Sequence, residues 1–424
     1  MKIADIHELY LQCNSACTDT RKIQENDLFF ALKGDNFNGN SYAEKAIQSG
    51  AKYAVIDEKK YATIPNTILV ENVLETLQFL ASYHRIYLNI PIIALTGSNG
   101  KTTTKELINA TLSQKYNTTA TVGNLNNHIG VPLTLLSMNK STEIGIVEMG
   151  ANHQKEIEFL CNIAKPDYGY ITNFGKAHLE GFGSVEGVIK GKTEMYDFLI
   201  KNNKTIFVNG NDPIQVNKTS NSNTFTFSNE KNADCKISFI SAQPTVTINY
   251  KNFTIQSNLI GEYNFSNIAA AIAIANYFKV EDKAIKAGIE HYIPSNNRSQ
   301  VILRGSNKII LDAYNANPTS MRAAILNFEK LKENNKTAFL GDMFELGKDA
   351  ELEHQNIVDL IETISIHQTI LIGENFHKTK TEKLIKFKTF EDFKNNYNVS
   401  SIINNAILIK GSRGMAMERI LDLI

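Results

Sequence analysis

The sequence carries no excess charge of either sign: in 424 residues, 44 Lys and Arg stand against 44 Asp and Glu. That balance argues against a general nucleic-acid binder, whose footprint is normally basic, although a sum of zero leaves room for local basic patches. Cysteine is scarce. Cys13, Cys17, Cys161 and Cys235 have the spacing of neither a disulfide framework nor a zinc ligand set. Cys13 and Cys17, four apart, read as small apolar residues on one face of a helix. Long apolar runs are missing as well: the longest helix-like one, Ile268 to Ile274, falls far short of the ~20 residues a membrane span needs. The first ten residues include Asp5, His7 and Glu8 and lack the apolar stretch of a secretory signal. There is no fixed-period repeat and no low-complexity linker. These absences predict a soluble, cytoplasmic protein with no nucleic-acid partner and no membrane insertion. What is present, 42% hydrophobic and 21% charged residues, is a globular composition. The length calls for about two to four domains at roughly 150 residues each.

The order of apolar runs predicts an α/β protein of three domains: a small α/β unit over 1–88, a central parallel-sheet unit with a phosphate loop over 89–294, and a Rossmann-like unit over 295–424. In the first, Leu28 to Leu32 and Tyr53 to Ile56 read as buried strands, and Tyr42 to Ser49 as a helix ending at Gly50. A helix over Leu74 to Tyr87 then stops before Asn89-Ile90-Pro91, where proline disfavours a helical residue before it. From Pro91 the apolar runs Ile92 to Leu95, Ile144 to Val147 and Tyr168 to Ile171 alternate with helical segments, the pattern of a parallel sheet covered on both faces. Residues 204–258, rich in Asn and Thr, read as an antiparallel excursion. After Pro294, Lys308 to Leu311, Thr337 to Leu340, Thr369 to Ile372 and Ala406 to Ile409 are strands at the spacing of an open, doubly wound sheet, whose ligands lie beyond the carboxyl ends of the strands.

The strongest chemical signal is Thr96-Gly97-Ser98-Asn99-Gly100-Lys101-Thr102-Thr103, directly after a strand and before a helix. Backbone amides of such a turn and the positive end of the helix cradle phosphate oxygens, Lys101 reaches the terminal phosphates, and the Thr102 hydroxyl suits Mg²⁺. The segment predicts ATP binding, although Leu95 stands where a full phosphate-loop motif has its first glycine. Glu148, at the end of its strand, is placed to share that Mg²⁺, which takes one or two carboxylates with phosphate and water oxygens; the plain alternative is a solvated strand-end glutamate. His178 reads either as a metal ligand or as a structural hydrogen-bonder. Lys192, in a helix over Ser184 to Leu199, reads by pattern as a surface lysine. A dehydrated lysine would instead have a lowered pKa and could take up CO₂ as a carbamate suited to a hard metal. Asn267 reads either as an adenine contact or as a helix N-cap, and Arg298 as an arginine delivered across a domain cleft to a transferring phosphoryl group or as a surface ion pair. Gly123 to Gly130 (with Asn126, Asn127 and His128), Asp312 to Pro318 (with Tyr314, Asn315 and Asn317) and Gly341 to Gly347 are polar loops; each alone reads equally as a turn, and together they outline a cleft between domains.

These residues resemble the Mur ligases of peptidoglycan synthesis over nearly the whole chain. The resemblance rests on Thr18-Asp19-Thr20-Arg21 with Leu28 to Gly34, the shortened phosphate loop, Gly123 to Gly130 and Glu148-Met149-Gly150. It continues through Asn173 with Ala177 to Gly183, Asn297-Arg298, Asp312 to Pro318 and Lys410 to Gly414. It implies that the shorter loop is sufficient and that Lys101 binds the ATP phosphates. Thr102 and Glu148 would hold one Mg²⁺, while Glu148, His178 and carbamylated Lys192 would hold a second. It further implies Asn267 and Asp312 near the nucleoside, Arg298 near the γ-phosphate and Thr18 to Arg21 in a UDP-sugar site. The Tyr-Asn-Ala-Asn-Pro stretch resembles the branch that adds D-alanyl-D-alanine to UDP-N-acetylmuramoyl-tripeptide through an acyl phosphate, and a monomer is expected. Another Mur-type ligase adding a single amino acid is the alternative. A nucleotide-driven switch is disfavoured, since no guanine-reading Asn-Lys-x-Asp occurs.

Overall fold

The apolar runs are strands because each is buried on both faces: Leu28–Phe30, Ile92–Thr96, Ile144–Glu148, Lys336–Gly341 and Ala406–Lys410 are buried at every position. The structure, a computed structural model, describes residues 1–230 and 232–424. Three α/β units follow one another, each built around one main sheet. The first holds four parallel strands in the order Ala16–Cys17, Leu28–Phe30, Tyr53–Ile56, Thr67–Leu69, two more than the sequence suggested. Cys17 lies on the edge strand and Cys13 beyond the helix Ile3–Tyr10, so the shared helical face expected for them does not exist; all four cysteines are free.

Among the described residues the central sheet has nine strands. Its heart is Thr205–Asn209, Tyr168–Ile171, Ile92–Thr96, Ile144–Glu148 and Thr118–Ala120, side by side and parallel. Residues 204–258 correct the expected excursion. Thr205–Asn209, Thr224–Ser228 and Cys235–Ser241 continue the parallel sheet, and only Thr247–Tyr250 and Phe253–Gln256 run antiparallel beyond them. Thr224–Ser228 and Cys235–Ser241 are only partly buried, which gives them the mixed composition of an antiparallel strand, although Thr205–Asn209 beside them is buried at four of its five positions. The third sheet has six strands, with Gln300–Arg304 antiparallel at one edge and the rest parallel.

The helix Val73–Leu88 ties the first unit to the second. Asn72 caps it by accepting from the Glu75 amide (3.0 Å), and Asn89 closes it in the left-handed conformation (φ 49°). Leu77, Leu80 and Ala81 share one core cluster with Val131, Leu135 and Leu160 of the central unit. Arg85 donates to the carbonyls of Ala164 and Lys165, and pairs with Asp167 at 2.6 Å.

The junction also contains a buried histidine pair. His84 donates from Nε2 to the Met138 carbonyl (2.9 Å), leaving Nδ1 to accept from His7 Nε2 (2.9 Å). Burial, with His84 adding to it, pushes His7 down to about 4, and His84 is lowered for the same first reason. Folding therefore favours the neutral rings. Their stability contribution is complete above the ordinary value of 6.5 and declines as the pH falls from there toward 4. The melting temperature of the parent should fall more steeply over that window than that of His7→Leu; parallel curves would refute the assignment.

Candidate active site

The strand Ile92–Thr96 runs into a tight turn and then the helix Lys101–Leu112. Two glycines make the turn possible. Gly97 (φ 142°) and Gly100 (φ 78°) adopt conformations that side chains avoid, and a Cβ would lie 2.0 Å from Thr172 Oγ1 at the first and 2.6 Å from Asn267 Oδ1 at the second. The neighbouring strand end clamps the turn. The Ser98 amide donates to the Asn173 carbonyl (3.1 Å), the Asn99 amide to Asn173 Oδ1 (3.0 Å), and Thr172 Oγ1 to the Asn99 carbonyl (2.6 Å). The loop is thus preformed, and the first amides of the helix lack intrahelical acceptors, an arrangement that suits an anion. Lys101 Nζ folds back onto the carbonyls of Gly97 (2.8 Å) and Ser98 (3.4 Å). Burial lowers its pKa; Glu148 opposes the shift and Arg298 adds to it.

Glu148 is fully buried at the end of Ile144–Glu148. Its amide donates to Thr121 Oγ1 (3.0 Å), and its Oε1 accepts from Asn126 Nδ2 (2.8 Å). Its Oε2 is buried and has no hydrogen-bond partner among the described residues. An orphaned carboxylate oxygen, beside a phosphate loop that includes the buried Thr102 hydroxyl, is a hard-oxygen donor set of the kind Mg²⁺ takes. His178, in the left-handed conformation (φ 51°), lines the same cavity. Its Nδ1 lies 2.7 Å from the Glu345 carboxylate of the third unit. Hydrogen bonding to His178 holds Glu345 below the usual carboxylate range, against the opposing effect of burial.

Lys192 is not the surface lysine of the sequence pattern. The helix Val185–Lys201 turns it inward, where it is 1% exposed; Nζ donates to the Ala151 carbonyl (3.1 Å) and lies 5.2 Å from the centre of the Phe182 ring. Its pKa falls well below the lysine range, through burial first and the nearby Lys101 second, against the pull of Glu156 and Glu194. Among the described residues, no three His, Cys, Asp or Glu side chains cluster as a metal cage, so a second metal here would need a ligand of another kind.

Asn267 is not a helix cap: the helix Asn264–Tyr277 begins three residues earlier. Its carboxamide accepts from Thr104 Oγ1 (3.0 Å) and donates to Asn264 Oδ1 (2.8 Å), bracing Gly100 from behind. Asp312 accepts from the Ser299 amide (3.1 Å) and the buried Lys410 ammonium (2.5 Å). Arg298 is no surface ion pair. Its guanidinium lies 3.7 Å from the centre of the Tyr314 ring, and its Nε is buried without a partner.

The third unit closes directly onto the phosphate loop. Asn317 caps the helix Pro318–Glu329 through the Ser320 amide (2.9 Å) and donates from Nδ2 to Asn99 Oδ1 (2.7 Å). Thr319 Oγ1 accepts from the Lys176 amide (3.1 Å), and Lys176 Nζ reaches Glu353. Between the units lies a cavity of about 850 Å³ that gathers Ser98 to Thr103, Asn126, Asn127, His128, Glu148, His178, Asn267, Arg298, Asp312, Tyr314, Asn315 and Asn317. Thr18 to Arg21 do not line it; Arg21 is exposed there and pairs with Asp19 at 2.8 Å. Thr121, Gln154, Lys155 and Thr319 escaped the sequence reading, because a single polar residue between motifs has no pattern to mark it.

Three family models match the chain: the Mur ligase family catalytic domain over residues 15–85, the Mur ligase middle domain over 95–275, and the Mur ligase glutamate ligase domain over 297–413. The UDP-N-acetylmuramoyl-tripeptide–D-alanyl-D-alanine ligase of Bacillus subtilis is 34% identical, with 97% of this chain and 93% of that protein covered. The chain belongs to the Mur ligase family. Among solved Mur ligase structures, MurF from Acinetobacter baumannii superposes with a TM-score of 0.87 at 27% identity, over 100% of this chain and 98% of that one. MurF from Thermotoga maritima in complex with ADP does so with 0.84 at 25%, over 98% and 97%. This Mur ligase thus has the three-unit α/β architecture of a relative that binds ADP, and no helix among its described residues is long and apolar enough to cross a membrane.

Proposed function

We propose that this Mur ligase joins D-alanyl-D-alanine to UDP-N-acetylmuramoyl-tripeptide, converting ATP to ADP and phosphate and giving UDP-N-acetylmuramoyl-pentapeptide for peptidoglycan synthesis in the cytoplasm. The observation that carries the reading is near full-length similarity to ligases of that name. The closed cleft supports it, since it joins a phosphate loop to the Tyr314–Asn317 loop. Residues 1–88 would receive the UDP-sugar with help from Thr18, Asp19, Thr20 and Arg21, residues 89–294 the ATP, and residues 295–424 the dipeptide. The protein would act as a monomer.

A carboxylate is a poor electrophile. Its oxygen therefore attacks the γ-phosphorus of ATP, the bond to the β,γ-bridging oxygen breaks, and ADP leaves. The dipeptide amine then attacks the acyl carbon, the C–O bond to phosphate breaks, and the amine surrenders a proton to His178 or a nearby carboxylate. Lys101 and Arg298 neutralise charge that gathers on the transferring group, and the preformed loop fixes its position. Asn267 and Asp312 hold the nucleoside end by shaping the loop and the Ser299 turn. Asn126, Asn127 and His128 border the acceptor side, and Tyr314, Asn315 and Asn317 the dipeptide side. Thr102 and Glu148 would hold one Mg²⁺, and Glu148 and His178 a second together with Lys192. In its neutral form Lys192 adds CO₂ and loses a proton to become a carbamate. Bound Mg²⁺ would supply positive charge to the phosphate oxygens.

Phosphate release from ATP with UDP-N-acetylmuramoyl-tripeptide should require D-alanyl-D-alanine and fail with single amino acids. Release independent of the dipeptide would overturn the assignment.

A further inference from the structure

The turn that carries Arg298 is unusually constrained. Asn296 (φ 59°), Asn297 (φ 57°) and Ser299 (φ 49°) all sit in the left-handed region, and such strain persists only where surrounding structure over-determines it. That structure comes from both neighbouring units. The central unit supplies Tyr263, whose hydroxyl lies 3.0 Å from Ser299 Oγ. The third supplies Asp312, which accepts from the Ser299 amide, and the Tyr314 amide, which donates to the Asn297 carbonyl at 3.2 Å.

These bonds fix the backbone of the turn, and none of them involves the Arg298 side chain. No carboxylate pairs with it among the described residues, and its Nε has no hydrogen-bond partner. The guanidinium carbon lies over the face of Tyr314, 3.7 Å from the ring centre. The guanidinium of Arg413 is 5.7 Å from the centre of the same ring. An aromatic face attracts a cation without consuming its N–H donors, so an arginine held in this way keeps all its donors for an anion. A carboxylate in the same place would neutralise the charge the reaction needs.

We propose that Tyr314 is a positioning residue for Arg298: its ring is the shelf that holds the guanidinium toward the cleft, and this is its role in place of, or besides, contact with the dipeptide. The proposal rests on the reading of Arg298 as a γ-phosphate contact. Because the shelf belongs to the third unit and Arg298 to the turn that enters it, the arginine is in place only when the Tyr314 loop is.

Four variants test this: Tyr314→Phe, Tyr314→Leu, Arg298→Ala and the double Tyr314→Leu/Arg298→Ala, with kcat and both KM values measured for each. Tyr314→Leu should lower kcat on the order of tenfold, the scale of a desolvated cation–π contact, with any change in the dipeptide KM smaller than the loss in kcat, and Tyr314→Phe should restore kcat to within about twofold. In the Arg298→Ala background, Tyr314→Leu should cost little more, since the two act as one unit. Equal losses in both backgrounds, or a change confined to the dipeptide KM, would overturn the proposal. If Arg298→Ala itself leaves kcat intact, the γ-phosphate reading fails instead. Should Tyr314→Leu not fold, pentafluorophenylalanine at position 314 keeps the shape of phenylalanine but removes the negative face; activity equal to Tyr314→Phe would sink the shelf.

Discussion

Lys101→Ala should lower kcat/KM by two to three orders of magnitude, roughly the loss recorded when one preorganised charge-stabilising donor is removed. Lys101 stands in the phosphate loop itself, and among the described residues its ammonium hydrogen-bonds to two backbone carbonyls and to no carboxylate. Burial already lowers its pKa, so the charge is incompletely solvated before nucleotide arrives. A phosphate oxygen replaces carbonyl contacts with a charge-assisted one, which is stronger. The melting temperature should stay level or rise, because an ammonium without a carboxylate partner contributes little to folding. Steady-state kinetics with a thermal melt separates the outcomes. Near-parent kcat/KM in a folded variant would exclude the phosphate-loop assignment.

Lys192→Ala should abolish ligation, a loss on the order of a hundredfold or more if a metal ligand disappears, while nucleotide binding stays largely intact. The side chain does not reach the loop carbonyls, so binding has no direct reason to fail. The environment favours reaction: burial and the charge of Lys101 push the pKa of Lys192 well below the lysine range, toward the neutral amine that CO₂ requires. Two measurements check this. Titration with a fluorescent ATP analogue should give a similar Kd for variant and parent. Stripping CO₂ from the buffer should slow the parent, and bicarbonate should restore it. Full activity of Lys192→Ala, or indifference of the parent to CO₂, would refute the carbamate.

The two lysines show how unevenly the site could be read. Lys101 was legible because Gly97, Gly100 and Thr102 surround it in a fixed order that only a phosphate loop between strand and helix requires. Lys192 was not, because one lysine in an amphipathic helix looks the same whether it faces solvent or a partner segment; its burial depends on the Ala151 carbonyl, 41 positions away in the chain. Asn267 shows the same limit. Its composition fitted a cap, yet the helix begins at Asn264, and its real partners, Thr104 and the turn at Gly100, lie more than 160 residues upstream.

The sequence by itself determined the alternation of strands and helices, the three-unit plan and the position of the nucleotide loop. Each of these follows from periodicity and from glycine's backbone freedom, which act over a few residues. Tertiary structure alone decided the rest. It continued the parallel sheet through Thr205–Asn209, Thr224–Ser228 and Cys235–Ser241, and it brought Asn317 to Asn99, Glu345 to His178 and Tyr314 to Arg298. Asn317 meets Asn99 and Glu345 meets His178 only when separate units close on one another, while Tyr314 reaches Arg298 through the edge of the third sheet. Such closeness leaves no mark in the local pattern of residues because it is set by how whole sheets pack.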